Sequence, residues 1–224
     1  GRSGTGTLNV ENGGSVTGTD GYVGHYSGSS GTATVTGTDS SWDNSGGLNL
    51  GGNESSAGGT AAVSVLDGGT LSVGGDTKIY AGSTLTLSGA ASTLQLGGTF
   101  TDEGTFDWQS GTVVLNSGGS WSNPVGVILS ESQTLQLNGG SLPDASDLTV
   151  NGTLDLNGNH ETFDALAGSG SVNLGGGNLT IGADDGGGTF SGVISEAGNV
   201  TKSGAGTQTF SGANSFAGDL TVSG

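Results

Sequence analysis

Apolar residues recur at every second position in short bursts along this chain. Thr84-Leu85-Thr86-Leu87, Thr93-Leu94-Gln95-Leu96, Thr134-Leu135-Gln136-Leu137 and Thr153-Leu154-Asp155-Leu156 all show the period of a strand with one buried face. The bursts repeat at a larger scale. Gly-Thr-Leu-Asn-Val at 6–10 returns as Gly-Thr-Ala-Thr-Val at 31–35 and as Thr-Ala-Ala-Val-Ser-Val at 60–65. Val10 to Val35 is 25 residues and Val35 to Val65 is 30. After each copy comes a turn: Asn12-Gly13-Gly14, Gly37-Thr38-Asp39 and Asp67-Gly68-Gly69. A second apolar position follows at Val16, Trp42 and Leu71, then a third short stretch at Tyr22-Val23, Leu48-Asn49-Leu50 and Ile79-Tyr80.

A unit of three short strands and no helix cannot bury its own apolar face, so it must stack on copies of itself. No stretch carries helical spacing over ten residues; the nearest, His160 to Leu166, is short and flanked by glycine. Antiparallel sandwiches need longer strands between two-residue hairpin turns. Here apolar pairs return after six or seven residues, as from Val172-Asn173-Leu174 to Leu179-Thr180-Ile181. The pattern predicts an all-β parallel β-helix of about ten rungs, right-handed, roughly 45–50 Å long at about 4.8 Å per rung. Residues 1–89 form repeats of 25–30 residues, 90–149 less regular rungs, and 150–224 a third block.

Glycine supplies 50 of the 224 residues, proline only two. The glycines punctuate alternating segments, which sets the chain apart from flexible low-complexity linkers. Glycine, Asn and Asp suit tight corners through positive φ and local side-chain bonds.

The last third reads Leu166-Ala-Gly-Ser-Gly-Ser-Val-Asn-Leu174, Phe190-Ser-Gly-Val-Ile-Ser195 and then Thr201-Lys-Ser-Gly-Ala-Gly-Thr-Gln-Thr-Phe-Ser-Gly-Ala-Asn-Ser-Phe-Ala-Gly218. This resembles the autotransporter-associated β-strand repeat of bacterial passenger regions, whose pattern is Lys-x-Gly-x-Gly-Thr-Leu-x-Leu-x-Gly-x-Asn-x-aromatic-x-Gly. The resemblance covers 150–222 well, 1–89 as a related repeat and 90–149 loosely. Gln208 and Phe210 stand where the pattern has leucines, and Gln208 questions the burial of that strand face. The resemblance implies a pectin-lyase-like β-helix exported to the bacterial surface or secreted. It also implies a longer parent chain, with membrane contact only through a barrel domain outside this segment. Both ends interrupt a repeat without a cap: Gly1 to Gly6 align with Tyr26 to Gly31. That leaves end-to-end stacking into a matrix fibre as the alternative to a stalk or adhesin.

Charge narrows the partners. Three basic residues oppose 20 acidic ones, for a formal charge of −17, which argues against nucleic acid and anionic membranes. Calcium is the one ion such a composition suits, through Asp184-Asp185, Asp102-Glu103, Asp20 or Asp39. Gly74-Gly75-Asp76 is only a fragment of a calcium β-roll nonapeptide, and no EF-hand loop exists, so solvated turn charges and no cofactor are expected. There is no cysteine, and His25 and His160 lack partners at metal-ligand spacing. A polysaccharide-active enzyme would need clustered carboxylates with a cation at the substrate. Only Arg2, Lys78 and Lys202 are available, and Lys202 is the repeat's structural lysine. The expectation is no catalytic residue and a structural, adhesive role.

Glycans or surface proteins are then the partners to expect, met by exposed aromatics. Trp42 aligns with Val16 and Leu71 and belongs to the core, and Phe106-Asp107-Trp108 reads as one buried face. Trp121, between two serines and just before Asn123-Pro124, is the candidate contact residue. It lies in Thr99–Pro124, the segment that departs most from the repeat.

Overall fold

The computed structural model describes residues 4–122 and 126–224; Asn123-Pro124 and Arg2 lie outside them. Among the described residues there is no helix, and the ladders between strands are parallel. The chain is a parallel β-solenoid of about ten turns, divided into two compact units, 1–119 and 120–224.

In the first unit each of the first four turns contributes a strand to three sheets. The opening turn holds β1 (Thr5–Val10), β2 (Ser15–Gly18) and β3 (Gly21–Val23), and the next β4 (Ser30–Thr36), β5 (Ser41–Asn44) and β6 (Leu48–Leu50). Then come β7 (Thr60–Leu66), β8 (Thr70–Val73) and β9 (Thr77–Ile79), followed by β10 (Thr84–Ser88), β11 (Thr93–Leu96) and β12 (Thr99–Asp102). The unit closes with β13 (Thr105–Trp108) and β14 (Gly111–Asn116).

The register stacks the repeats as their alternation demands. Val10, Val35, Val65, Leu87 and Trp108 form one inward column, and Leu8, Ala33, Val63, Leu85 and Phe106 a second. Val16, Trp42, Leu71, Leu94 and Val113 form a third, so Trp42 sits in the core as its alignment predicts. Phe106 and Trp108 face inward but are half-buried, the rings stacked 5.9 Å apart. In the fourth turn Leu85, Leu87, Leu94 and Leu96 are all buried, each such side chain contributing about 1.5–3 kcal/mol. The corners carry the expected turn chemistry: Asn12, Asp39 and Asp67 all have positive φ.

The second unit opens with β15 (Ser120–Trp121), β16 (Val127–Leu129) and β17 (Gln133–Asn138). Next come β18 (Asp147–Val150), β19 (Thr153–Asp155), β20 (Glu161–Phe163), β21 (Ala165–Ala167), β22 (Ser171–Asn173) and β23 (Asn178–Ile181). It ends with β24 (Thr189–Phe190), β25 (Val193–Ser195), β26 (Asn199–Lys202), β27 (Thr209–Phe210) and β28 (Leu220–Val222). Leu135, Leu154, Val172 and Ile194 form its central column. Two charged residues enter inward columns: Glu161 pairs with Leu179, and Lys202 lies between Ile181 and Val222.

Candidate functional site

The third sheet of the first unit presents an outward column of unlike side chains: Tyr22, Asn49, Lys78 and Thr101. Each is the outward residue of a three- or four-residue strand whose neighbours point inward. Beside this column the corners between turns differ in length. The corner after β9 spans only 80–83, whereas the corner after β6 spans 51–59. That longer excursion folds on itself. Gly52 bridges Ala57, Asn53 Oδ1 accepts the Ser55 and Ser56 N–H groups, and the Tyr80 hydroxyl donates to the Asn53 carbonyl at 2.5 Å.

From this corner Glu54 reaches back to accept the Tyr22 hydroxyl. The bond holds the Glu54 carboxyl below its ordinary range and pushes the Tyr22 phenol up to about 12. A polar cleft of about 280 Å³ results, lined by Asp20, Asn49, Glu54, Asp76, Lys78 and Thr101 among others. Asp20 and Asp76 each spend one carboxylate oxygen on a backbone N–H, those of Gly47 and Thr99, at 2.8 Å. Lys78 pairs with Glu103 at 2.9 Å and stands 4.4 Å from the Tyr80 ring centre; the Glu103 bond raises its pKa. Asn49 is only 6% exposed although it faces outward, and its side-chain amide finds no hydrogen-bond partner among the described residues.

Tyr22 also begins a ring stack. His25 lies 4.7 Å from it and 4.2 Å from Tyr26, all within 20° of parallel. Spacing in the sequence makes His25 look isolated; the tight corner after β3 brings the three rings together. A larger opening of about 500 Å³ beside this stack is lined partly by inward-facing Leu8, Val23, Ala33 and Trp42, so it is continuous with the core rather than a side-wall site.

The other sequence candidates fall elsewhere. Trp121 is half-buried in the two-residue strand β15, whose Ser120 bridges Ser141, and is less exposed than Tyr22 or Tyr26. Asp184 and Asp185 occupy an exposed turn that Asp164 caps by accepting the Asp184 and Gly186 N–H groups, while Asp185 accepts from Ala205. Asp39 is an exposed turn residue. Asp102 is half-buried, its Oδ1 without a partner among the described residues, and burial raises its pKa. Among the described residues no three His, Asp or Glu side chains group closely enough to hold a metal ion. His160 accepts the Asn178 N–H at 3.0 Å. Lys202 is buried, its ammonium donating to the carbonyls of Ser203 and Gly204, a structural placement.

Residues 200–224 match the family described as Passenger-associated-transport-repeat. No curated protein and no solved structure is similar enough to match the chain. The matched stretch is the final turn of the solenoid with the strands that receive it, β26 to β28. Repeat and parallel solenoid together are consistent with an autotransporter passenger β-helix.

Proposed function

We propose that this chain is a β-solenoid segment of an autotransporter passenger, displayed at or released from the bacterial surface, where it serves as a stalk with an adhesive side wall. The observation that carries this reading is the passenger repeat at 200–224, set in the same parallel stacking as the turns before it. The repeat family implies an extracellular or surface-exposed protein. A role without catalysis fits the placement of the cations. Lys202 is committed to core carbonyls and Lys78 to Glu103, so neither stands free beside a carboxylate pair. Adhesion fits the first unit, where one corner departs from the repeat and builds a polar cleft, as binding elements on regular scaffolds do.

Labelling of intact producing cells with an antibody against this chain tests the reading. Surface label that external protease removes is expected. Label that appears only after permeabilisation overturns it.

A further inference from the structure

We propose that the cleft on the third sheet of the first unit binds an uncharged oligosaccharide lying along the column Tyr22, Asn49, Lys78 and Thr101. The Asn49 amide is the pivot. It is more than nine-tenths buried, lines the cleft, and has both donor and acceptor capacity with no protein partner among the described residues. Its amide atoms still reach the water of the cleft, and a ligand bearing hydroxyls replaces that water by donating and accepting at once.

The rim completes that chemistry. The second oxygens of Asp20 and Asp76 have no protein donor among the described residues, and Glu54 is held in place by Tyr22. Carboxylates beside an amide and an ammonium form an alternating set of acceptors and donors, which suits adjacent hydroxyls of a sugar. Tyr22, partly exposed at one end of the column and stacked on His25, bounds the cleft by holding Glu54 through its hydroxyl.

Charge decides against the alternatives. Three carboxylates face one ammonium, itself neutralised by Glu103, so an acidic glycan or phosphate is repelled. A basic peptide meets Lys78 in mid-column. The carboxylates do not come together as a metal cluster. Length decides for an oligomer: four strands spaced about 4.8 Å apart make the column roughly 14 Å long. The inference names the ligand of the adhesive reading and rests on it only for its biological purpose, since binding by the purified chain and display on cells are separate measurements.

The test presents the full 224-residue chain to immobilised linear oligomers of glucose, galactose, mannose and N-acetylglucosamine. Galacturonate oligomers, a lysine-rich peptide and calcium serve as competitors. At least one uncharged oligomer is expected to bind, with affinity reduced tenfold or more in Asn49→Ala and in Glu54→Gln. Circular dichroism confirms the fold of each variant, and Lys78→Gln substitutes for either that misfolds. The proposal is overturned if no uncharged oligomer binds, or if binding survives these variants. It is also overturned if binding is lost only in Trp121→Ala, or if a competitor occupies the cleft instead. Surface label without sugar binding removes this proposal and leaves the display reading; sugar binding without surface label does the reverse.

Discussion

The side-chain amide of Gln208 is bonded to the peptide of Leu166, 42 residues earlier: its Nε2 donates to the Leu166 carbonyl at 2.8 Å, and its Oε1 accepts the Leu166 N–H at 3.4 Å. Leu166 lies in β21 and Gln208 just before β27, with β24 between them in sequence. The glycine run 186–188 makes the space, since a Cβ at Gly188 would overlap the same Leu166 carbonyl oxygen. The amide thus does for Leu166 what a ladder strand does elsewhere. Gln208→Ala should cost about 1–3 kcal/mol in urea unfolding. Gln208→Glu should cost as much or more, because a carboxylate cannot donate to the carbonyl. A Glu variant as stable as wild type would remove this role.

Glu161 couples the second unit to pH. It is 5% exposed, accepts the Leu142 N–H at 2.8 Å, and burial pushes its pKa up to about 7 from an ordinary 4.5, with Asp144 adding to the rise. A folded pKa above the unfolded one means that the protonated form is favoured by folding. The contribution is therefore complete below about pH 4.5 and lost as pH rises through 7. Up to about 3 kcal/mol is at stake. Glu161→Gln keeps an acceptor for Leu142, so it should match wild type at pH 4.5 and exceed it at pH 8. Denaturant midpoints across that range check the crossover.

Spectrophotometric titration of the phenols addresses the Tyr22–Glu54 contact. One of the three tyrosines should ionise near pH 12, held by its bond to the carboxylate. Glu54→Gln should move that step down while the other phenols stay in place. An unchanged curve would show that the corner 51–59 does not hold Glu54 against Tyr22 in solution.

Glycines 152, 170, 192 and 212 stack at one corner of the second unit, and each Cβ added there would overlap a carbonyl oxygen of the turn before, that of Gly170 in the case of Gly192. The reason is the ladder itself: Val193 N–H donates to Gly170 O at 3.0 Å, and Ser171 N–H to Gly152 O at 2.9 Å, so each carbonyl points at the next turn's backbone. None of the four has positive φ, so space rather than backbone conformation is the constraint. Gly192→Ala should destabilise the unit by about 1–3 kcal/mol. Gly6→Ala, with nothing within 4 Å of the added carbon, should be nearly neutral. Thermal melts of the two variants separate the cases.

Much of the fold was legible because alternation and turn residues agree at every repeat. Val10, Val35 and Val65 align in the sequence and stack in the structure, as do Val16, Trp42 and Leu71. The cleft was not legible, for a physical reason. Asp20, Asn49, Glu54, Asp76 and Lys78 come from different turns, and nothing local marks an outward asparagine as buried. The corner 51–59, which brings Glu54 to the cleft, leaves as its trace in the sequence the stretch from 25 to 30 residues between valines. Attention to lone aromatics led to Trp121; Tyr22, His25 and Tyr26, spaced as 0, 3 and 4, form a ring stack that this search did not look for.

The corner 51–59 adds a nine-residue excursion while Leu50 still pairs with Ile79 and Val35 with Val65. Closing a loop of that size costs little more than closing a short one, because the entropy grows only with the logarithm of its length. Corner and ladder are therefore separable in this chain. The ladder acts as a reading frame that tolerates insertions at its corners, and one such insertion can be exchanged for another without rewriting the turns on either side.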